Sequence, residues 1–410
     1  MSLRPRHAPL LLLPMAVLGC LEQGPDASLD SRRLSVGEAT ACALDRDGGV
    51  FCWGRNAQYL EYGVSPGDVP PSSTPVAVPI PRLTALGGGV SQHMCGLLPT
   101  GGAVCWGRGG RGQMGNGAAG FTGNPPTSVQ SNAEWTSIGV GRLTACAVAT
   151  TGEGFCWGLN QLGELGDSSL VYGEAQTAPN KVSGGITFAS VVPGWLHTCG
   201  ISTAGALYCW GSNSSGQLGI GSSDSDPHPR PLLVPFAQPV RKVSLSARST
   251  CAITADDRAW CWGYNGVGQL GDGTSNQRLE PTPVGAEVKF TDIAMSSGFA
   301  DGMQPAITPP SGLAQGGVAH TCAVSTARTV YCWGWNGAGQ LGIGTTISQP
   351  LPTVVSGASG VGSVALGGAY SCAITDSDLL CWGSNYTGQL GNGTYVDSPV
   401  PVRVAFPWSD

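Results

Sequence analysis

Apolar positions recur every second residue over short runs, and the same short runs return seven times along the chain. In one copy, Val318-Ala319-His320-Thr321-Cys322-Ala323-Val324-Ser325 is followed by Val330-Tyr331-Cys332-Trp333-Gly334. A period of two marks β-strands, with Cys322 and Val324 on one side and Ala323 on the other. The residue after the first cysteine is Ala or Gly in every copy (Ala43, Gly96, Ala147, Gly200, Ala252, Ala323, Ala373), and the next is Leu, Val or Ile. Neither side is polar, so both must be buried, as in a sheet held between two neighbouring sheets. An apolar run ending in Gly or a small residue precedes each pair, such as Lys242–Leu245 or Val364–Gly367, and a Pro-rich run follows, such as Pro75–Val78, Pro283-Val284 or Pro399–Val404. Proline is tolerated on an edge strand, so each unit is expected to hold four strands with the fourth outermost.

The units are large enough to set the whole architecture. Steps between the recurring tryptophans (Trp53, Trp106, Trp157, Trp210, Trp262, Trp333, Trp382) are 53, 51, 53, 52, 71 and 49 residues. Seven four-stranded units of this length predict an all-β fold, a seven-bladed β-propeller of antiparallel blades, over residues 33–410.

The cysteines test the strand register. In an antiparallel pair, opposed residues share a constant index sum. Cys42 and Cys52 centre their turn on Asp47, which makes it odd; Cys372 and Cys381 centre theirs between Asp376 and Ser377, which makes it even. The connection loses a residue while the cysteines stay opposed. This predicts seven cross-strand disulfides: Cys42–Cys52, Cys95–Cys105, Cys146–Cys156, Cys199–Cys209, Cys251–Cys261, Cys322–Cys332 and Cys372–Cys381. Reduced thiols and zinc are the alternatives, but the two-to-four-residue spacing of structural zinc ligands is absent.

The fifteenth cysteine is Cys20. Arg4 and Arg6 open the chain, Ala8–Leu18 is apolar, and Val17-Leu18-Gly19-Cys20 resembles the lipobox of bacterial lipoproteins. Residues 1–19 are then a signal peptide, Cys20 the lipidated residue, and residues 20–32 a polar tether. Leu21 after the cysteine points to the outer membrane under the enterobacterial sorting rule. An oxidising, exported setting agrees with disulfides.

Charged residues make up 11% of the chain, Gly supplies 64 of 410 residues, and net charge is −6. No Lys/Arg run marks a nucleic-acid surface. His93, His197 and His320 share the slot two residues before the first cysteine; the expectation is a structural side chain bonding a turn, not a metal ligand. The tryptophans read as core or inter-blade packing. No nucleophile motif or carboxylate pair stands out, so the chain is expected to hold no catalytic, cofactor or metal site.

The run Cys-Trp-Gly-x-Asn-x-x-Gly-Gln-Leu-Gly-x-Gly, preceded by Gly-x-x-His-Thr-Cys, resembles the regulator of chromosome condensation repeat. Its best copies are Gly211–Gly221, Gly263–Gly273, Gly334–Gly344 and Gly383–Gly393; Gly112–Gly115 and Gly163–Gly166 are close, and Gln58–Gly63 departs. The resemblance implies a seven-bladed propeller. It does not imply the founding member's nucleotide exchange on a nuclear GTPase, because an exported protein does not meet one.

Irregular places carry the functional expectation. Ser296–Gly317 is an insertion between the first and second strands of the sixth unit, and strand alternation puts it on the same face as the Gly-Gln-Leu-Gly loops. Phe299, Met303 and Ile307 of the insertion, with Trp335, Arg108, Arg111, Tyr59 and Tyr62 of the loops, are the candidate partner-binding residues. Tyr172, Tyr264, Phe121 and Arg55 lie beside them. The expected function is a monomeric, envelope-anchored, non-catalytic scaffold that binds a protein, with carbohydrate behind it. A hydrolase or lyase acting at the channel mouth, or a purely structural envelope protein, is the alternative.

Overall fold

The computed structural model describes residues 33–55, 70–88, 93–285, 287–296 and 319–407. Seven antiparallel sheets of four consecutive strands stand around an axis, each in simple order from first strand to fourth. Blade 5 shows the plan, with strands Val240–Leu245, Ser249–Thr254, Ala259–Gly263 and Arg278–Pro283. Its second strand is buried at every position, whereas its fourth is half-exposed. That fourth strand starts earlier than the Pro283-Val284 run suggests; Pro281 and Pro283 both lie within it. The first strands line the axis and enclose a cavity of about 170 Å³ walled by aliphatic side chains, among them Val36, Val140, Leu245 and Leu366. One ion pair, Lys242 with Asp292, interrupts that wall.

Each cysteine pair sits directly opposite in its hairpin, in blade 7 as in the others. The sulfurs are bonded in all seven, with Cα atoms 4.1 Å apart in blade 5. Blade 1 turns through a three-residue loop closed by Asp45 N donating to Gly49 O, with Gly48 at φ +85°. Blade 7 turns through Asp376-Ser377, closed by Thr375 N donating to Asp378 O. The odd and even turns therefore follow the cysteine arithmetic.

Burial of both blade faces has a concrete cause. The Cys251–Cys261 bridge of blade 5 shares a core with Leu270 of the same blade and with Ala323 and Trp333 of blade 6. The same set recurs one blade back, where Cys199, Cys209 and Leu218 meet Ala252 and Trp262. A residue of Ala size after the first cysteine leaves room for the neighbour's core. The ring closes by packing, since no sheet mixes strands from the two ends of the chain. Leu34, Val36 and Trp53 of blade 1 pack on Tyr370, Leu390 and Phe406, and Gly393 N donates to Ser73 O across the join.

Candidate interaction face

Connections between first and second strands, and between third and fourth, leave on one face; hairpin turns and blade-to-blade connectors leave on the other. The segment between Met295 and His320, which holds the insertion, belongs to the first kind in blade 6. The long loops that build this face share one internal design. In blade 4, Asn213 Oδ1 accepts from Leu218 N, and Gln217 Oε1 accepts from Ser215 N at 2.7 Å. Asn265, Asn336 and Asn385 take the same role in later blades.

The loops do not pack only on themselves. The backbone carbonyl of Gln217 accepts Trp262 Nε1 at 2.9 Å and Thr250 Oγ1 at 2.8 Å, both from blade 5. The same handover joins Gln269 to Trp333, Gln340 to Trp382, Gln389 to Trp53, Gln113 to Trp157 and Glu164 to Trp210. In these six blades the Cys-Trp-Gly tryptophan is thus a seam residue whose indole N–H is satisfied by the preceding blade. The last Gly of Gly-Gln-Leu-Gly allows the close approach: at Gly219, φ is +71° and a Cβ would lie 2.6 Å from Trp262 Nε1. Gly219→Ala should destabilise by about 2–4 kcal/mol through left-handed strain plus overpacking. Gly173, at φ +83° with nothing within 4 Å, carries only the backbone part; Gly173→Ala should cost about 1–2 kcal/mol. Equal shifts in urea midpoint for the two variants would refute the seam role.

The histidines also serve the seam. His197 Nε2 lies 2.9 Å from Thr250 Oγ1, and His320 Nε2 lies 2.9 Å from Ser371 Oγ, each across to the next blade. Those hydroxyls donate their one hydrogen to the Gln217 and Gln340 carbonyls, so histidine Nε2 must be the donor. A turn-bonding role is therefore replaced by a strand-to-strand bridge between blades. Burial lowers the pKa of His93, His197 and His320 to about 3. Among the described residues no group of His, Cys, Asp or Glu gathers as a metal site.

Glu164 occupies the slot that is Gln in five other blades. Its Oε2 accepts Leu162 N at 2.6 Å, its Oε1 has no partner among the described residues, and burial raises its pKa to about 7.

The structure separates the residues expected to bind a partner. Arg108 and Arg111 are exposed on the loop face. Trp335 is 6% exposed and fills a seam against Ala338, Ala369 and Val267; it is a packing residue there, which corrects its assignment as an anchor. Its ring lies flat over Gly337, as Tyr264 lies over Gly266. The sequence signal was the Gly two residues after each aromatic. Tyr59, Tyr62, Phe299, Met303, Ile307 and Cys20 lie outside the described residues.

Sequence reasoning missed a cluster contributed by the first-to-second-strand loops. The Arg142 guanidinium stacks 4.5 Å over the Trp195 ring and stands 3.6 Å from Glu38, joining blades 1, 3 and 4. Burial depresses the Arg142 pKa, Glu38 opposes that, and Arg108 adds to it. The readable signal was the variable residue two positions before the second strand: Glu38, Arg142, Trp195 and, in blade 5, Ala247. Arg55 similarly reaches Tyr386 Oη of blade 7 at 2.6 Å.

Comparison with known proteins follows this geometry. Two models of the regulator of chromosome condensation (RCC1) repeat match, one over residues 204–253, 256–300, 329–374 and 376–409, the other over 32–59, 188–217, 240–269 and 314–340. Two of the four matches to the first model run on into the second strand of the next blade, Ser249–Thr254 and Tyr370–Thr375. The ultraviolet-B receptor UVR8 of Arabidopsis thaliana is 30% identical over 308 residues, 70% of this chain and 64% of the receptor. The mitochondrial RCC1 domain-containing protein RUG3 of the same plant is 29% identical over 69% of this chain and 62% of its own length. The chain thus spans less than two thirds of these curated relatives. Among solved structures, human WBSCR16 superposes with TM-score 0.72 at 18% identity, covering 88% of this chain and 94% of that one. Prp20p of Saccharomyces cerevisiae gives 0.70 at 19%, covering 93% and 88%.

Proposed function

We propose that this chain, which belongs to the regulator of chromosome condensation repeat family, is a non-catalytic scaffold that binds a protein through its long-loop face, exported and held to the envelope by lipid on Cys20. Family membership leaves the activity open: the relatives include a light receptor, a mitochondrial protein and ubiquitin ligases. The carrying observation is where the blades differ. The cysteines and tryptophan repeat in all seven blades, the loop asparagine in all but blade 2, which has Gly109, and the seam carbonyl in six. The residue after Cys-Trp-Gly does not: it is Arg55, Arg108, Leu159, Ser212, Tyr264, Trp335 or Ser384. Glu38, Arg142 and Trp195 vary beside it. Of these, Arg108 is exposed and Arg55, Tyr264, Glu38, Arg142 and Trp195 are half-buried, whereas Leu159, Ser212, Trp335 and Ser384 are buried; the accessible part of the face is an asymmetric surface of the Arg- and aromatic-rich kind found at interfaces.

Photo-crosslinking in the native envelope tests this. A photoreactive residue at Arg108 or Arg111 should give a discrete protein adduct, and one at Ala204, on the hairpin face, should not. Adducts from Ala204 alone would refute the assigned face. Turnover of a peptide or glycan panel by the purified protein would refute a binding-only role.

A further inference from the structure

We infer that the hairpin-turn face is the membrane-proximal side of the protein, so that the long-loop face points away from lipid toward a partner in the aqueous compartment. This rests on the lipid-anchor reading above. Its own basis is the polarity of the first strand. Leu34–Val36 is the axial strand of blade 1, and it runs from the hairpin face toward the loop face. Arg33, just before it, donates from Nη1 to the backbone oxygen of Asp45 in the hairpin turn at 2.6 Å. A tether ending at Arg33 therefore leaves from the middle of the hairpin face.

The tether is too short to turn the propeller over. Cys20 and Arg33 are 13 residues apart, which gives about 45 Å fully stretched and a mean span of about 20 Å. Laying the long-loop face on lipid would require a path out across four strands and half the channel, about 25 Å, and then up a blade about 30 Å tall with its loops. That path of about 55 Å exceeds the stretched tether. The hairpin face is also suited to lie near headgroups, because most of its cations pair with carboxylates, Arg328 with Asp376, Arg241 with Asp257 and Arg403 with Asp378, while Arg46 and Lys289 stay exposed. Such a face is neither repelled as an acidic surface would be nor held as a polybasic one. The partner then approaches through water, from the side facing away from the anchoring membrane.

Full-length acylated protein on phosphatidylcholine–phosphatidylglycerol vesicles tests the orientation. A fluorescent residue is placed at Ala204, in a hairpin turn, or at Tyr172, in a long loop, and a headgroup nitroxide lipid is the quencher. Flotation with the vesicles and several-fold stronger quenching at Ala204 than at Tyr172 are expected. Equal or reversed quenching in protein that floats overturns the orientation and leaves the anchor standing. Protein that does not float overturns the anchor reading and the orientation with it.

Discussion

Reduced in denaturant and returned to native buffer without oxidant, the chain is expected not to refold. Each bridge closes a loop of 9 or 10 residues, and limiting the unfolded chain in this way stabilises by about 2–3 kcal/mol. The seven loops do not overlap, so together they approach 15–20 kcal/mol, above the roughly 5–15 kcal/mol net stability of most domains. Reductant alone should act differently. The bridged cysteines are 0–2% exposed beneath the next blade's tryptophan, so a thiol reagent meets them only after a blade opens. Tryptophan fluorescence should hold for hours in reductant, fall in urea plus reductant, and recover on dilution only with a glutathione redox couple. Native fluorescence regained by the reduced chain would show that packing alone suffices. Alkylation of native protein within minutes would show that the bridges are not sealed.

That sealing could be read in the chain only in part. The opposed cysteines were legible because register is local: two positions and one turn length decide it, and the shorter blade 7 turn confirms the arithmetic. What covers each bridge was not, because the covering tryptophan comes from the next blade, 53 residues on in the case of Cys209 and Trp262. The Gln217 carbonyl has no side-chain signature, so the seam role of the loop backbone leaves no mark in the repeat. Trp335 was misjudged for the same reason: aromatic character in a loop is the same in sequence whether the ring meets solvent or Ala369 of the next blade. The Arg142–Trp195–Glu38 cluster draws on blades 1, 3 and 4, and nothing in one repeat points to the others. Within blades the sequence was a good guide; between them, spatial neighbours set by ring closure decide.

Between-blade bonding also makes stability depend on pH. Protonating His197 or His320 would place a proton on Nδ1, which has no partner among the described residues, inside a dry seam. With His93, each has a pKa near 3 in the fold against 6.5 in the unfolded chain. As pH falls below 6.5 the unfolded chain binds protons that the fold refuses, so stability drops by about 1.4 kcal/mol per pH unit for each histidine until about pH 3. Glu164 acts in the opposite direction. Its pKa is 4.5 unfolded and about 7 folded, so from pH 4.5 to 7 the fold keeps a proton that the unfolded chain releases, and stability falls as pH rises. Where the windows overlap, three histidines outweigh one glutamate, so the stability set by these groups rises with pH and levels off above about pH 7. His320→Gln should therefore lose less stability than wild type between pH 7.5 and pH 4, by about 3 kcal/mol. Glu164→Gln restores the residue used at Gln113, Gln217, Gln269, Gln340 and Gln389. It should gain about 3 kcal/mol above pH 7 and nothing below pH 4.5. Urea unfolding at pH 4, 6 and 8 distinguishes these outcomes. Curves for His320→Gln that run parallel to wild type would mean the buried imidazole titrates normally, and a Glu164→Gln gain that persists at pH 4 would trace to packing instead of charge.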